Sequence, residues 1–178
     1  MNSRTYKYDA LAAEVKLKDV TSCRHNRALL HRIKNNDPGL TSLTIVRDGM
    51  VNGEGGYDDE DFIVREGDDL GWLGYFLGHS NENIEHVEIY HLPADKGRVD
   101  EMFEGLQKNK TISSFQITGE GEDFLHEGFS AINLPHVTHM EVLCPVGREG
   151  AQHFALGLRR CKSLKEYYGD VTGAIAVV

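Results

Sequence analysis

Between Gly97 and Ile117 the spacing of apolar positions changes once. Val99, Met102, Phe103 and Leu106 fall at i, i+3, i+4 and i+7, which predicts a helix that buries a single face. Asn109 and Lys110 break that run. Ile112, Phe115 and Ile117 then carry the apolar positions, with Ser114 and Gln116 polar among them, and this alternation predicts a half-buried strand.

The same succession of helix, polar break and strand occurs both earlier and later. Leu29, Leu30 and Ile33 precede the turn Asn35-Asn36-Asp37-Pro38-Gly39 and the strand positions Leu40, Leu43 and Ile45. Proline presets φ and glycine accepts unusual angles, so Asp-Pro-Gly is a turn with a mechanism. Leu70, Leu73 and Leu77 precede Asn81 to Asn83 and then Ile84, Val87 and Ile89. Leu125, Phe129 and Ile132 precede Pro135 and then Val137, Met140 and Val142. In a fifth unit Ala151, Phe154, Ala155 and Leu158 precede Leu164 and Tyr167, with Gly169 in the third strand place. The strand frames start at positions 40, 84, 112, 137 and 164, and the last three intervals are 28, 25 and 27 residues. One helix and one strand at such a recurrence predict a solenoid. A lone unit buries too little to offset chain entropy, so the units must stack. Strands side by side make a parallel sheet, and the wider helices on one face curve it with the strands on the concave side.

The frame of every strand is L-x-x-L-x-L, with Ile, Val, Phe or Met also allowed. Over residues 25–170 it resembles the leucine-rich repeats, and the helix in each unit with the 25–28 spacing looks most like the ribonuclease inhibitor-like subclass. The resemblance implies an α/β fold: a curved, right-handed βα horseshoe fragment of about five repeats, used for binding proteins. One departure is the ninth repeat position, usually Asn or Cys, which is Asp48, Leu92, Glu120, Pro145 and Thr172 here. The side-chain ladder at that edge is therefore expected to be absent. Residues 1–178 read as a single leucine-rich repeat domain. Within it, 1–24 form an N-terminal cap or a loose segment. Residues 46–69 form an acidic, glycine-rich insertion in the overlong first interval, read as a loop with an apolar island at Phe62-Ile63-Val64. Residues 171–178 resemble the opening of an incomplete further repeat.

Charge narrows the choice of partner. A net charge of -9 and a pI near 5.4 argue against nucleic acid, where clustered Lys and Arg would neutralise phosphate, and against an anionic membrane surface. They favour a basic partner, although acidity also serves solubility. Cys23, Cys144 and Cys161 are odd in number and form no CxxC pair, which argues against disulfides or a thiolate zinc site and for a reducing, cytoplasmic location. The first residues lack an apolar stretch behind basic ones, so no secretory signal is expected there, and no apolar run has membrane-spanning length.

Residues between the frame positions should face the concave surface. One column is Ser42, His86, Ser114, His139 and Glu166. The next is Thr44, Glu88, Gln116, Glu141 and Tyr168. The third is Val46, Tyr90, Thr118, Leu143 and Asp170. The centre of that surface therefore combines His86, Glu88, Tyr90, Gln116, His139, Glu141 and Tyr168, where aromatics supply contact area and carboxylates set charge preference. The expected function is a non-catalytic module that holds a protein or peptide, with no cofactor and no metal. The plainer reading is a solvated sheet. A second reading is a structural fragment of a longer array, or a subunit that self-associates through its C-terminal edge. A third is a metal-dependent enzyme using His86, His139 and Glu141, but His136 and His139 point to opposite strand faces. Asp48, Asn52, Gly53 and Asp59 only loosely echo a calcium loop, since Met50 offers no oxygen, so Asp58, Asp59, Glu60 and Asp61 read as a solubilising run. The glycines at 53, 55 and 56 lack the Lys-Ser/Thr of a phosphate loop. Trp72 and Phe76 read as a widened core face or a convex docking patch. No serine or cysteine sits in a recognisable nucleophile arrangement.

Overall fold

The chain builds one sheet by adding strands almost always in the same direction. The computed structural model describes residues 5–49, 57–90, 96–118, 133–143 and 148–169. Its strands are β1 (Ser42–Arg47), β2 (Asp61–Val64), β3 (His86–Tyr90), β4 (Ser114–Thr118), β5 (His139–Leu143) and β6 (Glu166–Gly169). Its helices are α1 (Thr5–Leu11), α2 (Leu17–Val20), α3 (Arg24–Lys34), α4 (Leu70–His79), α5 (Lys96–Leu106) and α6 (Arg148–Leu158). The sheet order is β2-β1-β3-β4-β5-β6, and every neighbouring pair is parallel. The fold is thus α/β with a single all-parallel sheet. The helix expected around Leu125, Phe129 and Ile132, and residues 171–178, lie outside the described residues.

The alternating pattern sets the register. Leu43, Val87, Phe115, Met140 and Tyr167 align strand by strand, and so do Ile45, Ile89, Ile117, Val142 and Gly169. These rows share one core with Leu73, Phe76 and Leu77 of α4 and Met102, Phe103 and Leu106 of α5. A shift of one residue would turn each row to solvent, so burial of one face fixes the pairing. The strands begin two residues later than the apolar frame. Leu40, Ile84, Ile112 and Val137 are buried but belong to the turns that lead into β1, β3, β4 and β5.

Two of those turns are built by buried asparagines. The Asn81 side-chain oxygen accepts from the N–H groups of Asn83 and Ile84, and that of Asn109 accepts from Thr111 and Ile112. The Asn109 amide also donates to the Leu77 and Asn81 carbonyls, at 2.7 and 3.0 Å. One turn is thereby tied to the next, as buried polar groups require. The ladder not expected at the far end of the strands has a counterpart here, at the near end.

The insertion is more than a loop. Its island forms β2, which pairs in parallel with β1 from Thr44↔Asp61 to Arg47↔Val64. All four of its residues are buried, which accounts for a continuous apolar run in place of alternation. Asp61 is 4 % exposed and its carboxylate accepts from the Asp58 N–H, so that residue is a structural acid and not part of a solvated run. The outward groups of β2 are all taken. Asn26 of α3 accepts from the Ile63 N–H at 2.9 Å and donates to the Ile63 carbonyl at 2.7 Å. The His25 Nε2 lies 2.8 Å from the Asp61 carbonyl, a contact that requires a proton on that nitrogen. The Asp61 N–H reaches Asp58. A side-chain amide here completes the edge as another strand would.

Helices α4 and α5 approach closely because glycines face one another. A methyl group on Gly105 would sit 2.1 Å from the Gly74 carbonyl carbon, and one on Gly78 would sit 2.2 Å from the Gly105 oxygen. The N-terminal segment lies over these helices. In α1 Tyr8 is buried, edge-on to Trp72 at 4.8 Å between ring centres.

Candidate functional site

The sheet face away from the helices carries the three expected columns, and the ladder places them in register. Ser42, His86, Ser114, His139 and Glu166 form one, and Thr44, Glu88, Gln116, Glu141 and Tyr168 form the next, joined by Asp61 beyond Thr44. Val46, Tyr90, Thr118 and Leu143 form the third, joined by Ile63; Asp170 lies outside the described residues. Side chains within a column stand one strand spacing apart, about 4.8 Å.

The columns differ in how free they are. His86 Nδ1 lies 2.9 Å from the Ser114 hydroxyl. His139 is fixed by the Thr138 hydroxyl at 2.8 Å on Nδ1 and by Glu166 at 3.4 Å on Nε2. The Gln116 amide donates to the Thr118 hydroxyl at 3.3 Å. Among the described residues, the Glu88 and Glu141 side chains have neither a hydrogen-bond nor an ion-pair partner. Tyr168 is 68 % exposed and Leu143 39 %, both large apolar surfaces on the β5–β6 half. No lysine or arginine stands in any of the three columns.

Tyr90 stands apart from the free residues. Its half-buried ring packs with Tyr57 against a small cluster of Cys23, Val46 and Ile63, so the β2–β1 end of this face is already covered. The open part runs from Glu88 to Tyr168. His86, His139 and Glu141 do not converge, since both imidazoles are engaged within or beside their own column. Among the described residues no group of three His, Cys, Asp or Glu side chains is placed to hold a metal ion. Of the loosely calcium-like set, Asp48 instead pairs with Arg65 at 3.2 Å and accepts from the Tyr57 hydroxyl, while 50–56 lie outside the described residues. Cys161 is buried and donates to the Gly157 carbonyl. Burial pushes its thiol up, the opposite of what a nucleophile needs. Trp72 and Phe76 are buried and stacked on each other, which makes them core.

Sequence reasoning missed Tyr8. Its hydroxyl meets two carboxylates, Glu101 of α5 at short range and Asp69 at 3.2 Å. Asp69 also caps α4 by accepting from the Gly71 N–H. Burial, then the Glu101 bond and the Asp69 charge, hold the phenol well above the ordinary tyrosine range. The folded value lies above the unfolded one, so the Tyr8 contribution to stability is complete below about pH 10 and is lost as pH rises through the folded value. Tyr8→Phe is therefore expected to lessen alkaline destabilisation. Burial and the neighbouring Asp9 carboxylate also raise the Tyr75 phenol, so tyrosinate absorbance should show one late-titrating group fewer in this variant than in the native protein; equal titration of both would remove the assignment. Tyr8, placed by two distant carboxylates, needed the fold to be found. Among the described residues no helix is long and apolar enough to cross a membrane. Comparison of the chain with protein-family models and with curated proteins finds no match.

Proposed function

We propose that this chain is a leucine-rich-repeat-like interaction module, non-catalytic and cytoplasmic, that holds a basic protein or peptide on the helix-free face of its sheet. The observation that carries this is the unpartnered pair Glu88 and Glu141, two strands apart across Gln116, beside the exposed ring of Tyr168. Carboxylates without internal partners keep their full attraction for a cation, and an exposed tyrosine adds contact area at small entropic cost. The absence of Lys and Arg from the columns leaves nothing to oppose a positive ligand. The repeat-like spacing supports the horseshoe reading, in which this face is concave.

An array of Lys- and Arg-containing peptides tests this. The full chain should retain a subset of them, with affinity falling as salt rises. Glu88→Gln with Glu141→Gln and Tyr168→Ala should lose at least about tenfold in affinity, the effect of removing ~1.4 kcal/mol. Equal retention by the folded triple variant, or no retention by the unaltered chain, would overturn the reading.

One observation favours a second reading, assembly through the C-terminal edge. Among the described residues β6 is paired on one side only, and Leu156 on α6 is 49 % exposed. Light scattering over a wide concentration range should then show growth in mass that Leu156→Glu abolishes, whereas a constant monomer mass excludes it.

A further inference from the structure

On the helix side, α1 is joined to the body in an unusual way. Of Lys7, Tyr8, Asp9, Ala10 and Leu11, only Tyr8 is buried; Leu11 is 46 % exposed. At the surface Asp9 adds an ion-pair contact to His79 at 3.7 Å. The seat that receives Tyr8 is built by other elements. Trp72 and Tyr75 of α4 form its aromatic walls, with ring centres 4.8 and 6.0 Å from that of Tyr8. Asp69 and Glu101 supply acceptors for the hydroxyl. Gly71 forms the floor, since a methyl group there would lie 1.8 Å from the Tyr8 oxygen. A cleft continues from this seat between α4 and α5, lined by Tyr75, His79, Glu101 and Glu104.

We infer that this seat is a docking site for a tyrosine-bearing helical segment, occupied in cis by α1, which acts as a detachable latch. The fit is chemical as well as steric. A phenol satisfies a carboxylate inside an aromatic cage, whereas phenylalanine would take the hydroxyl away from Glu101 and Asp69 and a longer side chain would strike Gly71. Among residues 7–11 Tyr8 is the one buried side chain, with Asp9 held at the surface by Tyr75 and His79, and a helix of seven residues is marginal without its packing. Elements held this weakly open at low free energy while the core stays folded. A segment of the same chemistry on another molecule would compete for the seat, so this inference concerns a surface remote from the sheet face and does not depend on it.

Gly71→Ala in the full chain tests the latch without altering α1. Alanine is the better helix former, so α4 itself should not weaken, yet the added methyl occupies the place of the Tyr8 oxygen. The expected result is rapid proteolysis within residues 5–16 and a red shift in emission from Trp72, the only tryptophan, with cooperative unfolding retained. Tyr8→Ala should do the same and leave the seat open. A synthetic peptide of residues 5–16 should then bind the Tyr8→Ala protein and reverse the shift. The same peptide with Tyr8→Phe should bind about tenfold more weakly or worse, having lost a hydrogen bond to a charged group, and the Gly71→Ala protein should not bind the peptide. Unchanged protection and emission in Gly71→Ala, or no peptide binding to folded Tyr8→Ala protein, would overturn the inference. Global unfolding of Tyr8→Ala would overturn it too, since α1 would then be part of the core fold.

Discussion

Asn26→Leu is expected to cost the protein about 3 kcal/mol of stability and to make it self-associate. Leucine has nearly the same shape, so packing changes little. What is lost is the amide that accepts from the Ile63 N–H, donates to the Ile63 carbonyl and donates to Asp68 at 3.2 Å. Each buried backbone group left without a partner costs about 1–3 kcal/mol, and here two are stranded together. The same change leaves the hydrogen-bonding edge of β2 unpaired beneath α3, and a strand edge without partners, with side chains all buried and mostly apolar, is a template for another chain once α3 lifts. Urea unfolding monitored by far-ultraviolet circular dichroism gives the first quantity, and light scattering of the folded protein gives the second. A midpoint within experimental error of the unaltered protein would mean that water replaces the amide and that the edge is not sealed by Asn26.

Gly105→Ala should be comparably severe, for the opposite reason. A glycine-to-alanine change in a helix ordinarily gains about 1 kcal/mol. Here the new methyl would meet the backbone of Gly74 at 2.1–2.7 Å, and backbone cannot rotate aside as a side chain can. Helices α4 and α5 must move apart, and overpacking of this kind costs about 1–3 kcal/mol or more. The net loss expected is about 2 kcal/mol, read from thermal or urea unfolding. Gly71→Ala is the internal comparison, since its methyl would meet only the ends of the Tyr8 and Glu101 side chains. If both alanines destabilise equally, close backbone approach is not what distinguishes the positions.

The sheet was legible in the sequence because its information is periodic. Val87, Phe115 and Met140 announce themselves by alternation, and their spacing gives the register that the ladder shows. The columns of the opposite face follow from the same alternation, including Glu88, Gln116 and Glu141. Partners across long sequence distances were not legible. Tyr8 finds Glu101 ninety-three residues away, and nothing in the local pattern of α1 marks it as different from its neighbours. Tyr90 was placed in the right column, but its cover by Tyr57 and Cys23 comes from the insertion and the segment before α3, whose paths carry no repeat. Asn81 and Asn109 did leave a signal. Each stands three residues before the first apolar frame position, 28 residues apart, and reading the turns by that offset would have found the tie between them.

The sealing of β2 by a helix side chain gives the molecule a one-way grammar of growth. Tandem copying of a helix–strand unit is compatible with the fold anywhere between β3 and β6, since β3, β4 and β5 each pair with a neighbour on both flanks. Outside β2 an added strand would have to evict Asn26 and His25 together. Lengthened or shortened relatives, natural or engineered, should therefore share the opening segment through β2 and vary in the number of units that follow it.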